Sequence, residues 1–223
     1  MPAAPLPANE AERLSLLRDY QILDTPPEEV FNRIVRLASN LIGTPIALVS
    51  LLDETRQWFK AKVGLDIDET PRDVAFCSYA ILFDDVMEVA DATADDRFQD
   101  NPLVTGGANI RFYAGAPLST SGGEKMGTLC VIDTKPRSLS QQEREILRDL
   151  AALVSEELEL RRAGRHVVAD ARHREQVLTP LKAVIALANA ISSTSSDQAS
   201  REQAVEIMKE AESVRRRIGG VIS

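Results

Sequence analysis

Apolar positions recur along this chain in three patterns, and each predicts a different element. Beyond Ser140 they stand at Ile146, Leu147, Leu150, Leu153, Val154 and Leu158, the spacing of a helix that buries one stripe. From Val177 the steps alternate between four and three, through Leu181, Val184, Ala188 and Ile191, which is a coiled-coil seam. A second seam follows at Ile207, Ala211, Val214, Ile218 and Val221. Only Gly164 and Pro180 interrupt residues 140–192, so most of that stretch is expected to run as helix, with Ser140 and Glu143 as a capping box at its start. Between the two helical patterns lies a basic patch, Arg161 to Arg174, most simply a solvated helix face. A helix that packs on one body at its start and on another at its end is a mechanical link.

The earlier part of the chain mixes periods. Asn9 is positioned to cap a helix carrying Leu14, Leu17 and Tyr20, and Thr25 to cap a second one, with Pro26 and Pro27 in its first turn. That second helix carries Val30, Ile34, Leu37, Ala38 and Leu41 on one face and stops at Gly43. Residues 46–52 are apolar on both faces, as in a central strand covered on both sides. Asp53 to Arg56 then reads as a tight turn into a return strand, Gln57 to Val63. Residues 64–72 are expected to be polar loop, 74–82 a short helix, 86–89 a short strand, and 91–107 a long loop with a helical turn near Arg97. Residues 111–119 and 126–133 form a second hairpin around Gly122 and Gly123. This order predicts an α+β fold with an antiparallel sheet.

Composition narrows the function classes. The chain has 223 residues and a formal net charge of −8, which argues against general binding to nucleic acid or to an anionic membrane. Cys77 and Cys130 lack metal-ligand spacing and suit a reduced, cytoplasmic protein in which each is a small buried hydrophobe. Residues 1–8, rich in Pro and Ala, lack the features of a signal peptide and are expected to be disordered; no apolar run has the length to span a bilayer.

The runs "IRFYAGAPLSTSGGEKMGTLCVIDTKPRSLS", "PIALVSLLDETRQWFKAKVGL" and "TPRDVAFCSYAIL" carry a family likeness. Residues 9–162 resemble a GAF domain, in particular those at the input end of bacterial sensor kinases and diguanylate cyclases. The resemblance implies an antiparallel sheet of about six strands, helices from both ends of the domain packed on one side, and a small-molecule pocket on the other. Residues 163–223 are then a helical linker and hairpin. "EQVLTPLKAVIALANAI", Glu175 to Ile191, resembles the first helix of a histidine-kinase dimerisation and phosphotransfer domain, and residues 201–223 its second. Two such helices bury little alone, so the likeness implies a homodimer through a four-helix bundle.

Within that likeness the phosphoacceptor histidine belongs four residues before the Thr of "TPL", where this chain has Glu175. A carboxylate does not take a phosphoryl group as an imidazole nitrogen does. His173 lies two residues upstream, about 200° around the helix, and reads as an exposed histidine, with phosphoacceptor as its alternative role. Thr179 and Pro180 form a candidate hinge, since proline removes a helix hydrogen bond; a tolerated kink is the other reading.

The candidate ligand-binding wall is Trp58, Phe59, Phe76, Cys77, Tyr79, Arg111, Phe112 and Tyr113, with a packed aromatic core as the competing reading. Ser78 stands where bilin-binding GAF domains usually carry a histidine, which speaks against pigment at Cys77, and the Asn-Lys-Phe-Asp-Glu set of cyclic-nucleotide-binding GAF domains is not found. Asp53, Asp91 and Asp133 read as turn formers. No metal and no cofactor is implied, and neither a Ser-His-Asp order, a P-loop nor zinc spacing occurs. The function expected is a signalling regulator: a GAF sensor domain coupled by a continuous helix to a dimeric bundle that docks a response regulator, a kinase or a transcription factor. The alternative is a fragment of an active sensor histidine kinase whose ATP-binding domain lies outside this chain.

Overall fold

The computed structural model describes residues 3–163, 182, 184–193 and 197–219. They fall into two compact units, Met1–Arg162 and Ala163–Ser223. In the first, the order is α1 (Glu10–Tyr20), α2 (Glu29–Ile42), β1 (Ile46–Leu52), β2 (Arg56–Val63), β3 (Glu69–Pro71), α3 (Phe76–Ala80), β4 (Met87–Val89), α4 (Pro102–Thr105), β5 (Phe112–Ser119), β6 (Lys125–Asp133) and α5 (Gln141–Ala163). The six strands form one sheet in the order β3-β2-β1-β6-β5-β4, antiparallel at every step.

The order follows from what each strand can bury. β1 is buried at every position and β6 at all but its two ends, so both sit in the middle. The edge strands β3 and β4 have three residues each, too short to template further pairing. β1 and β2 slip register between Val49 and Ser50: Ala61 pairs with Val49 and Phe59 with Ser50, which leaves Lys60 as the extra residue of a bulge.

α2 buries Val30, Phe31, Ile34, Val35, Leu37, Ala38 and Ile42, and ends at Gly43 in the left-handed region (φ 68°). Ile42, rather than Leu41, completes its buried face. The box at the start of α5 forms as expected: Glu143 N–H donates to Ser140 Oγ at 3.2 Å, and Ser140 N–H to the Glu143 carboxylate at 2.7 Å.

Several local expectations are corrected. Asn9 holds the N-cap position of α1 but makes no side-chain cap bond. α2 starts at Glu29, not after Thr25, because Thr25 is used elsewhere: its hydroxyl donates to the Ile22 carbonyl at 2.6 Å and accepts from Lys60 Nζ at 2.8 Å. The expected loop 64–72 contains β3, and α4 lies within the expected loop 91–107, capped by the Asn101 side chain, which accepts from Leu103 N–H at 2.8 Å. A hydrogen-bonded turn does form at Asp95–Phe98. Residues 3–8 have no regular structure, and Ala4 packs on a buried cluster.

In the second unit, residues 184–193 are helical (α6) and α7 spans Gln198–Gly219, capped by the Asp197 carboxylate, which accepts from Ser200 N–H at 2.8 Å. Val184, Ala188, Ala204, Ile207, Ala211 and Val214 are buried, while Ile191, at the end of the first seam, is half-buried. Val177, Leu181 and Val221 lie outside the described residues. Among the described residues no helix is long and apolar enough to cross a membrane.

Candidate functional site

One face of the sheet carries a buried cluster roofed by α3, α4 and the chain between β4 and β5. Side chains alternate along a strand, so β2 and β5 each send neighbouring residues to opposite faces. The eight residues of the expected wall therefore divide. Phe59, Phe76, Cys77, Tyr79 and Tyr113 come together in the cluster. Trp58 and Phe112 lie on the other face: the Lys60 ammonium, 6.0 Å from the Trp58 ring, also stands 5.5 Å from Phe31 of α2, and Arg137 lies 5.8 Å from Phe112. Arg111 is half-buried and donates to the carbonyls of Val104 and Ile110, so it braces the roof.

The aromatic rings pack on one another. Phe76 stacks on Phe98 at 4.0 Å, Tyr113 tilts against Phe76 at 5.2 Å, and Tyr79 meets Phe98 edge-on at 5.1 Å. Arg97, paired to Asp95, places its guanidinium 5.1 Å from the Phe98 ring. Phe98 and Arg97 belong to the site although the sequence reading left them in loop.

Beneath the rings is a thiol and hydroxyl centre. Cys77 Sγ accepts from Thr128 Oγ1 at 3.1 Å and Tyr113 Oη at 3.3 Å, and lies 3.8 Å from Cys130 Sγ. The Tyr113 phenol reaches it because residue 115 is glycine: a Cβ there would stand 2.2 Å from the Tyr113 oxygen. Burial, with both thiols close by, pushes the Tyr113 hydroxyl well above its ordinary range and keeps it a neutral donor. Burial also raises the Cys77 thiol, but the hydrogen bonds from Cys130 and the surrounding hydroxyls outweigh it and bring Cys77 down. Cys130 goes up, through its bond to Cys77 and its burial.

Ser50 and Thr128, both missed above, had a legible signal: each is the polar residue inside an apolar run, and the β1–β6 register pairs them. Ser50 adds its hydroxyl to those around Cys77, while Gln57 Oε1 and Thr70 Oγ1 are buried without hydrogen-bond partners. The inner face thus sets aromatic walls beside a buried hydroxyl and a buried amide oxygen that make no hydrogen bond.

A second constellation ties the end of α5 to the sheet. Lys60, with 2 % of its surface exposed, donates to Thr25 Oγ1 and the Pro26 carbonyl at 2.8 Å, and to the Glu28 carboxylate at 2.6 Å. Glu28 also accepts from Arg161 of α5. Desolvation lowers the Lys60 pKa, and Glu28 opposes that shift. Two residues back along α5, Glu159 accepts from Tyr20 of α1 at 2.5 Å, and Arg162 lies 5.4 Å from the Tyr20 ring. Burial, helped by that carboxylate, raises the Tyr20 hydroxyl pKa. His173, Glu175, Thr179 and Pro180 lie outside the described residues. Among the described residues no group of three or more His, Cys, Asp or Glu is arranged to hold a metal ion.

Comparison with known proteins places this geometry. A cyclic di-GMP phosphodiesterase of Pseudomonas aeruginosa is 46% identical over 168 residues, 75% of this chain; the match spans 29% of that relative's length. The fold resembles the GAF domain of a phosphoenolpyruvate-protein phosphotransferase from Coxiella burnetii (TM-score 0.52, 16% identity, 71% of this chain and 100% of that one). It also resembles the free methionine-R-sulfoxide reductase of Neisseria meningitidis (TM-score 0.51, 16% identity, 74% and 99%). A family profile described as the GAF domain matches residues 26–158. With its six-stranded antiparallel sheet, flanking helices and roofed inner face, the chain belongs to the GAF domain family.

Proposed function

We propose that this chain is a signal-transduction module in which the GAF domain receives a small-molecule signal and α5 carries it to a dimeric helical output. The output, residues 163–223, is a histidine-kinase-like bundle with Glu175 in place of the phosphoacceptor, and it works by docking a response regulator, a kinase or a transcription factor. The observation that carries this reading is the double tie of the end of α5 to the sensor body, through Tyr20–Glu159 and through Lys60–Glu28–Arg161. A strand that shifts when the inner face fills pulls on α5 through these bonds. A ligand acts as a signal only as far as it binds the two positions of α5 unequally. Incubation with ATP and a companion histidine kinase tests the output: the chain is expected to gain no acid-labile phosphate. Phosphate on His173 overturns the docking reading in favour of a kinase fragment.

A second reading is favoured by the 46% identity to the cyclic di-GMP phosphodiesterase: the GAF domain serves as the input of a cyclic di-GMP regulator. Replacing the matching 168 residues of that enzyme with those of this chain tests it. Ligand-responsive hydrolysis in the chimera supports the second reading, and a permanently active or inactive chimera counts against it.

A further inference from the structure

A cavity of about 290 Å³ opens between the start of α1, the end of α3 and the β5–β6 turn, away from the aromatic cluster. Asn9, Arg13, Ile81, Leu82, Gly123 and Lys125 are among its lining residues. Arg13 is 1 % exposed. Its Nε and Nη2 donate to the Glu10 carboxylate at 2.8 and 2.7 Å, while its Nη1 is buried with no hydrogen-bond partner. A charged donor left unmade in a protein interior is costly, and a ligand oxygen is its natural partner.

The charge around Arg13 does not balance. Glu10 also accepts from Arg72, itself buried, at 2.6 Å, so one carboxylate serves two guanidiniums and the buried trio carries a surplus positive charge. Lys125 adds an ammonium whose partner, Asp84 at 2.6 Å, is fully exposed and therefore screened. Asn9 gives the first turn of α1 no side-chain cap; Glu10 N–H bonds to the Pro7 carbonyl at 3.1 Å, which leaves the N–H groups of Ala11 and Glu12 at its positive end. Gly123, at φ 92°, has nothing within 4 Å of where its Cβ would be, which leaves the mouth open. Pro7, Ile81 and Leu82 give the remaining wall an apolar surface.

We propose that this cavity binds a small oxyanion, a carboxylate or a phosphate group with a short apolar body, through the free edge of Arg13, Lys125 and the first turn of α1. Arg13 supplies the directional bond, Lys125 the mobile charge, and the apolar wall holds whatever the anion carries. The site is independent of the aromatic cluster and of the proposed output.

Calorimetric titration of the full chain at low ionic strength with inorganic phosphate, and separately with acetate, tests it, with the arginine side-chain ¹⁵N–¹H signals followed by NMR. Saturable binding of at least one anion is expected, with the Arg13 signals moving in step with the heat. Binding of phosphate only, or of acetate only, assigns the headgroup. Lys125→Gln removes a surface charge whose ion pair is solvent-exposed, so the variant keeps the fold, and it is expected to weaken binding about tenfold. No saturable heat with either anion overturns the proposal. So does binding that Lys125→Gln leaves unchanged while the Arg13 signals stay still, since that is diffuse attraction to the surface.

Discussion

Glu10 shows how much one carboxylate can hold. Burial alone raises its pKa, but hydrogen bonds from Arg13 and Arg72 more than offset that and bring it to about 2 from an ordinary 4.5. A group whose pKa falls on folding stabilises the fold above its unfolded value and loses that contribution as the pH drops through its folded value. Wild-type stability is therefore expected to fall between pH 4.5 and about 2 by a component of about 1–3 kcal/mol after solvent screening. Glu10→Gln flattens that limb in urea denaturation curves, and at pH 7 costs about 2–4 kcal/mol because two buried guanidiniums lose their counter-charge. An unchanged acid limb in the variant would remove Glu10 from the account. Gly115 makes the complementary point by having no side chain. Gly115→Ala is expected to cost about 1–3 kcal/mol by pushing the Tyr113 ring off Cys77, and clearly less in a Tyr113→Leu background. An equal cost in both backgrounds would place the strain in the strand itself. Neither effect was legible in the sequence. Arg72, the second arginine on Glu10, lies 62 residues away, and the Cys77 that Tyr113 reaches across Gly115 lies 36 residues before it.

At the scale of elements, the sequence foretold what is periodic and missed what is bent. β1, β6, α2 and the capping box of α5 follow from local pattern because each satisfies itself over a few residues. The β1–β2 bulge does not, since a register slip is a property of the pair. Lys60, the extra residue at that slip, donates to the Thr25 hydroxyl and so removes it from capping duty. Likewise, alternation along β2 and β5 divides the expected ligand wall between two faces, a consequence that a list of aromatic residues cannot show. The bulge leads to a paired prediction. Glu28→Gln leaves the buried Lys60 ammonium without a countercharge and close to Arg161, at a cost of about 2–4 kcal/mol. Lys60→Met replaces the charge with an apolar chain in a buried slot and is expected to change stability by less than about 1.5 kcal/mol. Both cut the link from β2 to α5, so both speed amide hydrogen exchange at the end of α5, around Glu159 to Arg162. Exchange there that ignores both changes would show that α5 is held by its apolar stripe alone, and the transmission reading would lose its carrier.

At the scale of the whole molecule, the question is what covers the helices of the second unit. Of their seam residues Val184, Ala188, Ile207, Ala211 and Val214 are already buried, and Ala188, Ala204 and Ala211 are small enough to let helices approach closely. Ile191 at the end of the first seam and Ile185, Leu187 and Met208 beyond it remain half-buried, and Val205 is 37 % exposed amid Arg201, Glu202, Glu206 and Lys209. A helical hairpin of this size buries too little apolar surface to be stable by itself. An apolar strip with charges of both signs at its rim is what an interface between copies requires. The full chain is therefore expected to sediment as a dimer at micromolar concentration, and residues 1–162 alone as a monomer. Leu187→Glu and Val205→Lys place charges on the strip and are expected to raise the dimer dissociation constant about a hundredfold, roughly 3 kcal/mol, while the GAF domain keeps its melting transition. Ala211→Leu acts differently: it pushes on a fully buried position and is expected to lower the helix signal even at concentrations where wild type is dimeric. A truncated chain that still dimerises moves the interface onto the GAF domain. A full-length chain that stays monomeric leaves the strip uncovered and removes the two-chain bundle from the proposed output.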